Sequence, residues 1–447
     1  MERSILSFLV PRLAVLLAAL LVVSLTVISP VSGEVEPVEI STGVEQASSD
    51  GSDDGKGKEV TRDRFGRTAL HIGQEEALGS VEQLLPDEVI SHPAYTDMWL
   101  ERSAQDLRLF VGATDPAAVA GALAEWSLPI EIKVVQSKYS GSELERAQAA
   151  IDDTLDLVSS DERVASGQYW FSTYTDPMND RIVIEVALEA DELILSAALR
   201  HDRDRGIVEV VRTGEPPHKV GNLGDACTHH SLGRGCDTPL RGGVQLRRAG
   251  ASAWCSSGFV VYLAANPSTE FTLTSGHCSG SWNEVVSTLD DSGNVVTIGN
   301  RRQSKNSGSV DALLVLLNGT HSPSNTVATY QTENYVIQGK IVRSQMPLNS
   351  TMRRGGKYSD TDGLLVSKGA TQNGKKHQGK VEDAPACGGD SGGPWTYTNK
   401  AVGIHSASTP STVCPAPASE VSHFTFVSKI FKWRKNAGQK IKIKKTP

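Results

Sequence analysis

Gly389-Asp390-Ser391-Gly392-Gly393-Pro394 is the stretch on which the reading of this chain turns. A serine hydroxyl is a weak nucleophile. It needs an adjacent base to take its proton, and backbone N–H donors for the negative charge that develops on the atom it attacks. Glycines around Ser391 let the backbone turn such donors inward without steric cost. A lone Gly/Ser turn would mean little, but two upstream segments give this one weight. Thr274-Ser275-Gly276-His277-Cys278 ends a strand-like run with a histidine beside a cysteine. Ser309-Val310-Asp311-Ala312-Leu313-Leu314 sets one carboxylate at the head of an apolar run, where burial would demand a partner. An aspartate that orients an imidazole, a histidine that takes a proton and a serine that attacks form one catalytic unit. His277, Asp311, Ser391 is one of the chain orders in which that unit recurs.

The surroundings are built to match. From Gly221 onward short β-branched runs alternate with Gly/Ser/Asn-rich turns: Gly258–Ala264, Glu270–Thr274, Asn294–Ile298, Asp311–Leu317, Tyr335–Arg343, Gly363–Ser367 and Ala401–Ser406. Many short strands at close intervals predict an all-β sandwich or barrel. The one late helical candidate is Val427–Lys435, and the basic run Lys440–Lys445 reads as a solvated end. Before this region, residues 62–219 read as an ordered α+β unit. Ser142-Glu143-Leu144-Glu145 has capping-box spacing, and Leu144, Ala147, Ile151 and Leu155 follow at helical intervals. Gln168–Tyr174 and Arg181–Ala187 flank the turn Asp176–Asp180 as a hairpin, and Ile207–Arg212 is a last strand before Gly214-Glu215-Pro216-Pro217.

Charge and cysteine divide the chain at the same point. The 447 residues carry a net charge of −8, yet residues 220–447 hold 25 Lys+Arg against 14 Asp+Glu. Residues 1–219 hold 19 against 38. An acidic and a basic half suggest parts that bind each other. All six cysteines, Cys227, Cys236, Cys255, Cys278, Cys387 and Cys414, lie in the second half, which points to disulfides and an oxidising compartment. Residues 1–33 fit an export signal: Arg3 and Arg12, the apolar run Leu13–Ile28, then Ser32 and Gly33. Secretion to the extracellular space follows, with membrane attachment only if the run is retained. Residues 34–61, rich in Ser, Asp and Gly, form an acidic linker. Hydrophobic content of 39% excludes a wholly disordered chain.

The segment from about 240 to 435 resembles the chymotrypsin fold, and most of all its secreted bacterial branch of streptogrisins and alpha-lytic protease. The motifs that carry the resemblance are Leu240-Arg241-Gly242-Gly243, Cys255-Ser256-Ser257-Gly258-Phe259, the His277 and Asp311 segments, and Cys387 through Pro394. The Tyr169–Val186 hairpin resembles the α+β pro-segment that assists folding in that branch and inhibits the protease. The resemblance implies an all-β double β-barrel protease domain over residues 220–435, preceded by an α+β pro-domain and followed by a basic tail at 436–447. It implies Ser391 as nucleophile, His277 as general base and Asp311 as its orienter, with the N–H groups of Gly389 and Ser391 as oxyanion hole. It implies bridges Cys255–Cys278 and Cys387–Cys414, and leaves Cys227–Cys236 as a third outside the family core. Bacterial relatives pair the acid before the nucleophile with an arginine. Arg353 is the expected partner of Asp390, and Arg354 its substitute.

The same resemblance speaks to the substrate. Trypsin-like members hold an aspartate where Pro385 falls, so a Lys/Arg preference lacks its carboxylate. The opposite wall, Gly403-Ile404-His405-Ser406-Ala407-Ser408, has the His and Ser that glutamate-specific bacterial members use, at His405 and Ser408. Their third residue is Gly388 here. The expected substrate-binding set is therefore His405, Ser406, Ser408, Pro385 and Gly388, with small or apolar preference as the alternative. An imidazole and a hydroxyl can both donate to an anion.

Rival readings are weaker. Gly-x-Ser-x-Gly also fits the nucleophile elbow of α/β-hydrolases, but that fold needs an acid and then a histidine after the serine. Only Glu420 and, three residues on, His423 are there. A catalytically silent binding or adhesion module of the same fold would be favoured by loss of a triad member, and none is lost. The eight positive charges after Val427 lack interleaved recognition motifs, so nucleic acid is not an expected partner. No metal ligand spacing and no organic cofactor motif is present. The expected product is a secreted, monomeric serine endopeptidase made as an inactive precursor, its partners being polypeptide substrates and its own pro-domain.

Overall fold

A computed structural model describes residues 38–39, 61–104, 106–158, 171–187, 206–213, 240–248, 253–290, 294–319, 323–328, 335–372, 374–408 and 420–445. The signal-like run, nearly all of the acidic linker, and Cys227, Cys236 and Cys414 lie outside these residues. Among the described residues no helix is long and apolar enough to cross a membrane.

Two curled sheets make up most of the second half, as expected for the double β-barrel. The first has eight strands in the spatial order Ile441–Ile443, Val260–Leu263, Asn266–Thr274, Val310–Leu317, Val295–Ser307, Val285–Leu289, Gln245–Arg248, Ala253–Ser256. Val310–Leu317 lies between two partners and is apolar on both faces, so its first six residues are all buried. The second sheet contains a ring of six strands: Thr351–Arg354, Pro394–Tyr397, Lys400–Ser408, Ser422–Phe426, Lys375–Glu382 and Thr361–Gln372. Thr351–Arg354 pairs antiparallel with both Pro394–Tyr397 and Thr361–Gln372, which closes the ring. Closure leaves no unpaired edge there.

The acidic half is α+β, and it joins this second sheet. Phe171–Asp176 pairs with the far end of Thr361–Gln372 through Thr371↔Thr173 and Gln372↔Ser172. Arg181–Ala187 and then Val208–Thr213 continue the sheet outward, the last pair parallel. Helix Gly141–Val158 lays Leu144, Ile151 and Leu155 on Ile182, Ile184, Val186 and Ile207, so the sequence periodicity is read out as a buried face. Its capping box sits two residues earlier than the spacing at Ser142 suggested. Glu143 Oε2 accepts from the Ser140 N–H at 2.8 Å, and Ser140 Oγ accepts from the Glu143 N–H at 3.4 Å. Serine recurs at 140 and 142, and the spacing alone does not say which one starts the helix.

A four-stranded sheet precedes that helix, in the order Val38–Glu39, Glu131–Gln136, Leu107–Ala113, Tyr95–Arg102. Its core runs on into that of the second barrel. Leu84, Leu85, Met98 and Leu100 belong to the same apolar cluster as Met346, Leu348, Met352, Trp395 and Phe424. The backbones interlock as well: the Leu100 N–H donates to Leu348 O, and the Leu348 N–H to Met98 O, each at 2.9 Å.

The basic run near the end corrects the sequence reading. Ile441–Ile443 is not a free tail but a strand, paired antiparallel with Val260–Leu263. Ile441 and Ile443 are buried while Lys442 is exposed, a period-two pattern that the surrounding lysines obscure. Lys444 reaches Glu270 at 2.6 Å. Helix Val427–Asn436 falls where the late helix was expected.

Candidate active site

Two turns and the start of strand Val310–Leu317 bring the expected residues together. Strand Asn266–Thr274 runs into the 3₁₀ turn Gly276–Cys278, which presents His277. The disulfide Cys255–Cys278 ties that turn to strand Ala253–Ser256. The next residue, Ser256, donates its N–H to the Ser391 carbonyl at 2.7 Å. Cys387 is disulfide-bonded too, and its expected partner Cys414 lies outside the described residues. Ser391 sits in the turn before Pro394–Tyr397, where glycine is required twice. Gly389 has φ +99° with the Tyr358 ring 2.8 Å from where a Cβ would stand. Gly392 has φ +92° with the Ser256 carbonyl 2.3 Å from that point.

The three side chains form a continuous hydrogen-bonded line. His277 Nδ1 is 2.8 Å from Asp311 Oδ2, and His277 Nε2 is 2.9 Å from Ser391 Oγ. An ionised carboxylate only accepts, so Nδ1 carries the proton and Nε2 accepts from the serine hydroxyl. Asp311 Oδ1 accepts from the His277 backbone N–H at 2.9 Å, fixing the ring's approach from a second side. Asp311 has no exposed surface. Burial alone would raise its pKa, but the hydrogen bond and charge of His277, joined by Lys375, hold it well below the usual carboxylate range. Ser391 is 2% exposed.

The turn beneath the serine is anchored by Asp390. Its Oδ2 accepts from the Cys387 N–H at 2.8 Å, from Ser359 Oγ, and from Arg354 Nη2 at 3.2 Å. Its Oδ1 accepts from the Tyr358 and Ser359 N–H groups at 2.7 and 3.2 Å. Arg353 is therefore not the partner of Asp390. On strand Thr351–Arg354 successive side chains point to opposite faces, so Arg354 turns inward while Arg353 pairs with Asp362 at 2.8 Å. Arg354 stacks over Trp395 and also donates to Pro385 O at 2.9 Å.

The expected pocket residues divide. Gly388 is buried in the turn and Pro385 is half-buried. Ser406 gives its hydroxyl to Asp311 Oδ2, so its side chain serves the triad rather than the pocket wall. His405 has no exposed surface; its Nδ1 accepts from Trp395 Nε1 at 3.4 Å. Its Nε2, and Ser408 Oγ, are buried with no hydrogen-bond partner among the described residues. Burial pushes the His405 imidazole well below its ordinary ionisation, helped by the nearby charges of Arg354, His277 and His423. Sequence reasoning missed Lys375, whose Nζ is 2.6 Å from Asp311 Oδ2, and Ser359 on Asp390. The hairpin signal Asn373-Gly374 precedes Lys375, but no local pattern says that the hairpin tip reaches the other sheet. Among the described residues no cluster of His, Cys, Asp and Glu could hold a metal ion.

Two curled sheets, with a Ser–His–Asp hydrogen-bonded line joining them, make the chymotrypsin-like double-barrel fold. Solved structures similar to this chain include a glutamic-acid-specific serine protease described as using a novel histidine triad in substrate binding. It is 22% identical, with a TM-score of 0.37, and the match covers 46% of this chain and 100% of that one. Nocardiopsis protease is 19% identical with a TM-score of 0.36, over 46% of this chain and 99% of its own. Thermobifida fusca protease A is 22% identical with a TM-score of 0.36, over the same shares. No family model matches the chain, and no curated protein matches it.

Proposed function

We propose that the chain is the precursor of a secreted serine endopeptidase. The observation that carries this reading is His277, held 2.8 Å from Asp311 on one side and 2.9 Å from Ser391 on the other. In that arrangement Ser391 Oγ attacks the peptide carbonyl as His277 Nε2 takes its proton. The N–H groups of Gly389 and Ser391 would receive the developing oxyanion. The C–N bond then breaks, with His277 passing the proton to the leaving amine, and water repeats the sequence to release the acyl group. Asp311 orients the ring and stabilises the imidazolium.

The acidic half is proposed as a folding and inhibitory segment. Its support is the apolar cluster it shares with the second barrel, together with charge pairs such as Lys376 with Asp153 at 3.0 Å and Arg343 with Glu145 at 2.8 Å.

Preference for glutamate before the scissile bond is proposed from His405 Nε2 and Ser408 Oγ. Both are buried on one strand without a partner among the described residues. Two unmet polar groups cost free energy that a substrate carboxylate could recover. The second reading, small or apolar preference, is favoured by the packing of His405 against Trp395, whose own ring lies tilted against Phe424.

Hydrolysis of matched chromogenic peptides ending in Glu, Asp, Phe, Leu, Ala or Lys, with Ser391→Ala as blank, tests both levels. A tenfold lead for Glu, about 1.4 kcal/mol of transition-state discrimination, supports the carboxylate pocket. A lead for Phe or Leu makes His405 a packing residue. No cleavage beyond the Ser391→Ala blank overturns the enzyme reading.

A further inference from the structure

Asp311 receives a donor that a Ser–His–Asp unit does not require. Lys375 Nζ lies 2.6 Å from Asp311 Oδ2 and 3.2 Å from Ser406 Oγ, with its side chain only 12% exposed. Lys375 opens strand Lys375–Glu382 of the second barrel, whereas Asp311 belongs to the first, so this ion pair joins the two barrels. The backbone sets its reach. Lys375 forms an isolated bridge with Gly308, and the Lys376 N–H donates to Gly308 O at 2.9 Å. The acceptor sites of a carboxylate number about four. Here they meet four donors: the His277 N–H, His277 Nδ1, Ser406 Oγ and Lys375 Nζ.

We propose that Lys375 is a positioning residue for the proposed hydrolysis, a donor from the second barrel that locks the Asp311 carboxylate in register with the His277 ring. The proposal rests on the reading of His277, Asp311 and Ser391 as the catalytic unit. His277 Nδ1 and Lys375 Nζ share Asp311 Oδ2 at 2.8 and 2.6 Å, while Oδ1 takes the His277 N–H at 2.9 Å. The pair with Lys375 ties the rotation of that carboxylate to the backbone bridge at Gly308.

Two measurements decide it. In the full chain carrying Ser391→Ala, the Nδ1-bound proton of His277 is followed by NMR as the reporter of its hydrogen bond to Asp311. Adding Lys375→Met should shift or broaden that resonance, and Lys375→Arg should restore it. Lys375→Gln serves as a second variant if methionine disturbs folding. In the active enzyme kcat should fall about tenfold with KM unchanged, and Lys375→Arg should recover it. An unmoved resonance and an unmoved kcat in both uncharged variants, with thermal melting unchanged, overturn the proposal. If the resonance moves but no Ser391-bearing chain cleaves peptides, the positioning of Asp311 stands and the protease reading falls.

Discussion

Arg354 and Asp390 lie 3.2 Å apart with neither side chain exposed to solvent, while the adjacent Arg353 faces outward to Asp362. Inside the protein this pair holds the base of the turn that carries Ser391. Its energetic weight lies less in the attraction than in what removal of one partner leaves behind. Arg354→Met should destabilise the fold by about 3–5 kcal/mol, since Asp390 would remain buried and charged. Arg353→Ala, which breaks a partly exposed pair, should cost under about 1 kcal/mol. Urea unfolding of the two variants checks the contrast; equal losses would contradict it.

Gln345 acts as a clasp between the halves of the chain. Its Oε1 accepts from the N–H groups of Leu84 and Leu85 at 2.8 and 3.0 Å, and its Nε2 donates to Leu85 O at 2.9 Å. Gln345→Ala strands two buried donors and an acceptor, at about 1–3 kcal/mol for each group left unsatisfied. Faster hydrogen exchange at Leu84 and Leu85 is the expected signature.

His423 should make stability fall in acid. Burial, with smaller contributions from Lys380 and Lys375, lowers its pKa to about 3 from an ordinary 6.5. The folded state then holds it neutral while the unfolded chain takes up a proton. Stability is fully present above the unfolded value and is lost as pH falls from 6.5 toward 3. Between those limits His423 contributes a slope of about 1.4 kcal/mol per pH unit. His423→Leu should flatten the stability curve by that amount in denaturant melts between pH 6 and 4.

His405→Leu separates the two specificity readings. If the buried imidazole donates to a substrate carboxylate, kcat/KM for a Glu peptide should drop at least tenfold relative to a Leu peptide. Removal of one hydrogen bond to a charge, about 1.5–3 kcal/mol, gives that size. A uniform fall across all substrates would mark a packing role.

What the sequence revealed follows the range of the forces involved. The strand at Asp311 was legible as an unbroken apolar run, and the helix at Leu144 because its burial follows the helical period. The glycines at 389 and 392 were legible because the backbone there admits little else. Arg354 in place of Arg353 was decided by strand phase, which two identical neighbouring residues do not disclose. Strand Ile441–Ile443 was hidden because its solvent face is lysine, and its reason to exist is a partner at Val260–Leu263 far away in sequence. Lys375 was invisible for the same reason: its role depends on a hairpin tip from one sheet meeting the Asp311 strand of another.

The apolar cluster common to both halves bears on how they would come apart if the chain is cut between them. Met346, Leu348 and Met352 are covered by Leu84, Leu85, Met98 and Leu100 within one cluster, and the backbones there are cross-bonded. Severing the chain near residue 220 would change its connectivity but leave these contacts in place. Nicking and shedding would then be separate events with separate clocks. The first would be set by access to one peptide bond and the second by how often the acidic half peels away and is caught unfolded. A nicked but undissociated pair should run as one particle in gel filtration and as two chains on a denaturing gel.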